Sequence, residues 1–406
     1  MEKNQTVLTE KSRNQLLVLE QMMESGPISA IDVSAQTKLS AATVSRVFRE
    51  LREKELIVFV GKAETEKGRK PDLYIFNKGF GFLVHFHIGS QAIHGYLSDL
   101  GGEVIEKAAV HYIKNDTPDG FFSAIKEVYG RLEASGRSPK GKILAAGFSV
   151  PGVVNESGDS IYMVPDVYQL NKVKFTEYAA RILGVPVIAN NVSWLAAMGE
   201  KTRVYPYASS LIYMHFSNKI GVGAGIIYKN ELIKGGMHYA GEVGQTWFSQ
   251  LDTFEEYLNG EGSLDNVASM HYLFQKVREI AAVGKAPELS EDKVPLTLAT
   301  VEQMAMDGNK EVQSVLDESI RIWAGIVVNL NLIINPEFIV LGGSISAENK
   351  YVLKLLNNQF DTMNQFRPNV QLSASGEDAQ LYGGIHELKE YVNRNIIYVK
   401  AISDNE

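Results

Sequence analysis

Apolar positions recur at helical spacing in three short bursts near the start of the chain. Residues 12–25 set Leu16, Leu17, Leu19, Met22 and Met23 around Glu20 at steps of three and four, predicting a helix that Gly26-Pro27 ends. Ser29 is placed as the N-cap of a second helix, Ala30–Thr37, carrying Ile31, Val33 and Ala35. Lys38-Leu39 reads as a tight turn, and Ser40 as the cap of a third helix, Ala41–Lys54. Two short strands follow, Ile57–Val60 and Leu73–Phe76, around a charged, glycine-bearing tip, Gly61–Pro71. Asn77–Gly81 reads as a linker.

Beyond residue 81 strands and helices alternate. Phe82–Ile88, Ala92–Leu97 and Val104–Tyr112 predict a three-stranded meander, and Pro118–Ser135 a helix. Strand Ile143–Ser149, helix Phe175–Leu183, strand Val185–Ala189 and a helix from Trp194 to Lys201 come next. Strands then return at Ser210–Phe216, Gly223–Tyr228 and Glu231–Lys234. A strand-rich passage giving way to a helix-rich one, then starting again, is the pattern of two similar lobes of α/β architecture with crossover helices.

Composition changes this picture in three places. At roughly 100–200 residues per domain, a chain of 406 residues holds two to four domains. The absence of cysteine removes disulfides, thiolate zinc sites and cysteine nucleophiles together. The N-terminal stretch MEKNQTVLTEKSRNQ has no apolar signal core, and the most apolar helix-like run, Ile322–Ile334, is short and broken by Asn329 and Asn331. The expectation is a cytoplasmic protein with no membrane span. Charge is unevenly distributed: residues 1–78 hold 13 Lys and Arg against 11 Asp and Glu, which leaves a net charge of −10 on the rest of a chain whose net charge is −8.

The mildly basic head has the pattern of a winged helix-turn-helix. Val44, Phe48 and Leu51 form a buried face on the third helix and leave Thr43, Ser45, Arg46 and Arg49 facing outward near its N-terminal half. In a helix-turn-helix that half of the second helix enters the major groove, where Ser and Thr touch base edges or phosphates and Arg pairs with guanine or a phosphate. Lys67, Arg69 and Lys70 concentrate positive charge at the hairpin tip, as a wing reaching phosphates or a narrow minor groove would. An amphipathic surface helix beside a charged hairpin is the alternative for either piece alone.

Several stretches carry a family resemblance: Gly68-Arg69-Lys70-Pro71, GFSVPGVVN at Gly147–Asn155, NNVSWLAAMGE at Asn190–Glu200, GVGAGIIYKNELIKGGMHYAGEVG at Gly221–Gly244, NPEFIVLGGSIS at Asn335–Ser346 and GEDAQLYGG at Gly376–Gly384. In their order and spacing the chain resembles the ROK family of repressors and sugar kinases, on its xylose-repressor-like branch. The resemblance implies an N-terminal winged helix-turn-helix over residues 1–78, followed by a two-lobed actin/hexokinase-like body. The first lobe is expected over 79–200 with 385–406, and the second over 201–384.

The resemblance also shows what this chain lacks. Where the family's kinases carry an Asn-Asp pair whose Asp is the general base, this chain has Asn190-Asn191, and an amide is no base. The Asp-x-Gly-x-Thr loop is replaced by His87-Ile88-Gly89-Ser90-Gln91, and the Gly-Thr-Gly loop by Lys219-Ile220-Gly221. Gln245 stands where the family has a zinc-linked His, and no cysteine exists to hold zinc. His85, His87, His215 and His238 show no ligand spacing and read as scattered core or surface residues. The glycines of Gly221–Gly225 and Gly342-Gly343 read as turn residues kept for backbone geometry.

What the resemblance retains is sugar recognition. Asn190, Asn191, Glu242, Gln245 and Glu255 match positions that line the sugar site, and two carboxylates with amides suit a polyol. The expectation is therefore a non-enzymatic repressor of carbohydrate-utilisation genes, with no catalytic residue, cofactor or metal. Its partners would be palindromic operator DNA, a sugar-like effector and further copies of itself, as a dimer or tetramer. Two alternatives stay open: a regulator whose cleft takes a phosphosugar, a nucleotide or a protein partner, and an active ATP-dependent sugar kinase, against which Asn191, His87 and Ile220 all speak.

Overall fold

In the computed structural model the described residues are 9–64, 70–89, 92–112, 118–135, 142–155, 161–162, 174–217, 221–247, 264–286, 289, 296–361, 363 and 365–403. The head is three helices on a small sheet. Helix α1 (Glu10–Glu24) starts at Thr9, α2 (Ala30–Thr37) at Ser29 and α3 (Ala41–Glu53) at Ser40, and each cap hydroxyl accepts a backbone N–H of the first turn. Ser29 and Asp32 complete a capping box. Lys38 ends α2 in the left-handed region at φ 60°, which turns the chain sharply into α3. The expected hairpin is β2 (Ile57–Lys62) paired with β3 (Asp72–Phe76), and the two residues of β1 (Ile28–Ser29) add a third strand on the other side of β3.

The body repeats one sheet plan twice. In the first lobe β4 (Gly81–Ile88), β5 (Ala92–Asp99) and β6 (Val104–His111) form an antiparallel meander, and β7 (Lys142–Val150) runs parallel to β4. A two-stranded ribbon, β8 (Val153–Val154) with β9 (Ile161–Tyr162), follows β7. The edge strand β10 (Val187–Asn191) is parallel to β7, giving the order β10-β7-β4-β5-β6. In the second lobe β11 (Leu211–Phe216), β12 (Val222–Tyr228) and β13 (Glu231–Leu232) repeat the meander. Parallel strands β14 (Phe338–Gly343) and β15 (Val370–Leu372) complete the order β13-β12-β11-β14-β15.

Each sheet buries an apolar face. In the first lobe Phe86 stacks on Phe148 with ring centroids 4.6 Å apart, beneath α4 (Pro118–Ala134) and α5 (Phe175–Leu183). In the second, Phe216 and Leu341 pack with Trp323 of a long helix spanning Lys310–Ile334. That helix contains the most apolar run of the chain, but no helix among the described residues is long and apolar enough to cross a membrane.

Two helices join the lobes. Helix α6 (Val192–Arg203) lies on β11 and β12 of the second sheet, while a helix near the C-terminus, Ala379–Val392, lies on β7 and β4 of the first. They cross so closely that a Cβ at Gly383 would sit on the Leu195 carbonyl, and one at Gly199 on the Ala379 carbonyl. The lobe divisions expected at 200 and 384 fall inside these two helices. Asn77–Gly81, expected as a linker, is instead a tied joint. Lys78–Phe80 form a 3₁₀ turn, Asn77 N–H donates to the Leu56 carbonyl at 2.9 Å, and its Nδ2 donates to the Glu55 carbonyl at 2.8 Å. The joint is fixed because head and first lobe share one apolar core, in which Val18, Leu51 and Phe76 meet Leu83, Ala145 and Leu388.

Candidate functional site

The described residues among those singled out in the sequence fall on two surfaces. On α3, Val44, Val47, Phe48 and Leu51 are buried, and Ser45, Arg46 and Arg49 are exposed on the opposite face. Gln15, buried in α1, donates to Glu50 Oε2 at 2.7 Å and fixes the helix from behind. Thr43 differs from expectation. It is half-buried, and its hydroxyl lies 2.9 Å from that of Ser40, inside the cap. The hairpin stays paired as far as the Ala63 N–H, which donates to the Pro71 carbonyl at 2.9 Å. Lys70 is exposed at its tip, while Lys67 and Arg69 lie outside the described residues.

The second surface lies where the lobes meet at the start of α6. Asn191 is the N-cap of that helix: its Oδ1 accepts from Ser193 N–H at 2.7 Å and from Trp194 N–H at 3.4 Å. Its Nδ2 donates to the Gly152 carbonyl at 3.1 Å and, at 3.4 Å, to Glu242 Oε1 from the second lobe. Burial, and then the charge of Asp265, push the Glu242 carboxyl above its ordinary range. Asp265 accepts from Val222 N–H at 2.7 Å and from Gln245 Nε2 at 3.0 Å. Burial raises its carboxyl too, and those two hydrogen bonds oppose the rise. Trp194, buried, donates its indole N–H to the Ala240 carbonyl at 3.1 Å and so anchors the loop that leads into Glu242.

Of the five residues expected to line the sugar site, the structure brings Asn191 and Glu242 together. Gln245 is exposed and tied to Asp265. Asn190 Nδ2 donates to Glu387 Oε2 at 2.5 Å, on the helix Ala379–Val392. Successive strand residues face opposite ways, which separates Asn190 from Asn191. Burial raises the Glu387 carboxyl, against the Asn190 hydrogen bond and the charge of Lys234. Glu255 and the loop Ser249–Thr253 lie outside the described residues. Sequence reasoning missed Asp265 and Glu387. Glu387 had a signal: it falls one helical turn after Gly383-Gly384, on the face that meets the first lobe.

The base of the cleft is neutral. His87, His94 and His215 gather there rather than scattering, with the His87 and His94 rings 6.2 Å apart. Burial, then the neighbouring His94 and His215, lower the His87 pKa to about 4, and burial lowers that of His215 to about 4. His85, two residues before His87 and on the same face of the strand, is 2.8 Å from Ser149 Oγ, and burial, then the charge of His87, lowers its pKa to about 3. The Nδ1 atoms of His85, His87 and His215 are buried and have no hydrogen-bond partner among the described residues. Among the described residues no carboxylate stands beside these uncharged imidazoles, and imidazoles alone do not fit a magnesium nucleotide. Among the described residues no group of His, Asp or Glu has the geometry to hold a metal ion. The turns at Ser90-Gln91 and Lys219-Ile220 lie outside the described residues. At Gly342 the strand is crowded, since a Cβ would fall on the Tyr213 ring, and Gly343 N–H donates to Tyr213 Oη at 3.0 Å.

The model of the ROK family matches residues 84–386, about three quarters of the sequence. The chain belongs to the ROK family. Among its relatives is a xylose repressor of Caldicellulosiruptor bescii, 30% identical over 371 residues that cover 89% of this chain and 91% of that one. Among solved structures, a ROK family transcriptional regulator, homologous to the E. coli MLC protein, matches 96% of this chain and 98% of its own at TM-score 0.74 and 19% identity. A ROK glucokinase of Streptomyces griseus, solved with glucose and AMPPNP, matches 76% of this chain and 100% of its own at TM-score 0.59 and 18% identity. At those identities the two structures speak for the fold alone, and the body has the two-lobed actin/hexokinase-like fold of the family.

Proposed function

We propose that this ROK protein is a sugar-responsive, DNA-binding transcriptional repressor of carbohydrate-utilisation genes, and that it is not an enzyme. The observation that carries the non-enzymatic part is the bonding of Asn191. At the position of the family's base stands an amide whose oxygen is committed to capping α6. It has neither the basicity nor a free lone pair directed at a substrate hydroxyl. His87, at the acid position of the first phosphate loop, is half-buried and neutral, with its pKa lowered to about 4.

The head acts as a winged helix-turn-helix. Ser45, Arg46 and Arg49 of α3 read the major groove, and the β2–β3 hairpin, with Lys70 and the tip residues Lys67 and Arg69, contacts phosphates or the adjoining minor groove. A homodimer presents two such heads to a palindromic site. Glu242 and Asn191, with Asn190, Gln245 and Glu255 around them, hold a sugar or sugar derivative between the lobes. The naming of relatives as xylose repressors supports the carbohydrate reading. A ligand preferring one lobe arrangement 100-fold shifts the equilibrium by about 2.7 kcal/mol, enough to vacate a moderately occupied operator.

Selection of a DNA duplex from a random pool by the full chain, followed by ATP turnover across a sugar panel, tests the reading. It expects an enriched palindrome and no turnover. Turnover by the native chain contradicts the non-enzymatic part, and a pool without enrichment contradicts the repressor.

A further inference from the structure

The C-terminal segment makes one helical rod from the cleft to the head. It consists of the helix Ala379–Val392, here α7, five π-helical residues Asn393–Ile397, and a last helix Tyr398–Ile402, here α8. At the cleft end Gln380 Nε2 lies 3.5 Å from His87 Nε2, Gly383 crosses α6, and Glu387 accepts from Asn190. At the far end Val392, Ile397 and Ala401 share a core with Val18, Val47 and Leu51 of the head, and Tyr398 lies beside Glu20 of α1.

Lys54, the C-cap of α3, is only 8% exposed. Its ammonium donates to the carbonyl of Ala401 at 2.7 Å and to that of Ser403 at 2.6 Å, the carbonyls that end the rod. A cation on the terminal carbonyls of a helix is favourable twice, by hydrogen bonding and by the helix dipole. A buried ammonium that loses such acceptors is strongly unfavourable. The end of the DNA-reading helix and the end of the rod therefore cannot part cheaply and must move together.

We propose that Lys54 is the positioning residue that couples the sugar cleft to operator binding, by locking α3 to the rod. A sugar hydroxyl that takes the Asn190 amide takes it from Glu387 and frees that turn of α7. The π-helical segment, where the hydrogen-bond register is already shifted, is where the rod adjusts. Because Lys54 closes the other end, the displacement re-aims Ser45, Arg46 and Arg49. The proposal rests on operator reading by the head.

A double-mutant cycle on the full chain tests it without needing the effector. The probe is the duplex enriched from a random pool by the native protein, at fixed salt, with Kd read by anisotropy. Glu387→Ala, far along the rod from the head, is expected to change Kd by about fivefold or more. In a Lys54→Met background the same substitution should change it by less than about twofold, and Lys54→Arg should restore the response. Equal factors in both backgrounds, as for two merely structural lesions, would overturn the proposal. So would a Glu387→Ala change below about twofold with Lys54 intact. If Lys54→Met loses cooperative unfolding, Lys54→Gln replaces it under the same criteria. A pool with no enriched duplex removes operator reading itself, and this coupling with it.

Discussion

Ser45, Arg46 and Arg49 stand exposed on one face of α3, with the buried face of that helix and Gln15 holding them from behind. In the cleft the polar groups hold one another: Asn191 to Gly152 and Glu242, Gln245 to Asp265, Asn190 to Glu387. The head is thus a preformed surface that a rigid duplex can meet without rearrangement. The cleft is a set of partnerships between lobes that the proposed sugar would have to exchange for its own. Binding at the first needs complementarity, whereas binding at the second carries a conformational consequence, which is what a sensor requires.

The largest expected contrast between the two regions is their response to acid. All the histidines follow residue 84, so the head has none to charge. His85, His87 and His215 are neutral in the folded state, with pKa values of about 3, 4 and 4 against 6.5 for an unperturbed imidazole. Because the folded pKa is depressed, the unfolded chain binds protons first. Stability is then full above pH 6.5 and is lost as pH falls from 6.5 toward 4. By pH 5 each histidine removes about 2 kcal/mol. The raised carboxyls Glu242, Asp265 and Glu387 act in the opposite sense, since protonation relieves their burial. Urea unfolding between pH 7 and pH 5 should show His215→Asn losing about 2 kcal/mol less than the native protein. Parallel profiles would mean that the base of the cleft is solvated.

The next effect belongs to the head. Arg46→Ala should weaken operator binding by about 1–3 kcal/mol, roughly fivefold to more than a hundredfold, and leave the thermal midpoint within a degree or two. If Kd is unchanged at fixed salt, α3 is not the reading helix. Asn191→Asp, applied to the cleft, should cost about 1–2 kcal/mol of stability near neutral pH. The variant loses the donor to Gly152 and sets a second carboxylate against Glu242, so the loss should shrink at pH 5. It should show no ATP turnover. A neutral or stabilising result would mean that Asn191 and Glu242 are not in contact. The smallest effect is Ser45→Ala, a few-fold in Kd from one hydrogen bond of about 0.5–1.5 kcal/mol, with unchanged unfolding.

The two regions were also unequally legible in the sequence. The head is local. Ser29 and Ser40 announce helix starts, Val44, Phe48 and Leu51 mark the buried face, and the exposed residues follow by periodicity within one helix. Thr43 escaped because a hydroxyl three residues after Ser40 serves either the cap or a ligand, and only geometry decides. Strand β1 was invisible because two residues carry no period. In the body the alternation of strands and helices gave the doubled sheet, since each element's burial pattern is also local. The cleft is not local. Asn191, Glu242, Asp265 and Glu387 come from β10, a loop, the short helix Asp265–Ala268 and the C-terminal rod, and nothing in their spacing joins them. Family resemblance named Asn190, Asn191 and Glu242, yet only the fold shows that Asn190 is paired with Glu387. The joint at Lys78–Phe80 misled for the same reason. A Gly-bearing polar stretch reads as a linker until its neighbours, far away in the chain, are seen to enclose it.

The central claim is that the cleft is a sugar sensor and the head its output. It is tested most directly by titrating the selected duplex with the full chain, at one salt concentration, alone and with each of D-xylose, D-glucose and N-acetyl-D-glucosamine. At least one of these sugars should change the operator Kd about tenfold or more, and Glu242→Ala should remove the change while leaving the sugar-free Kd in place. An operator Kd that stays the same with every sugar would contradict it.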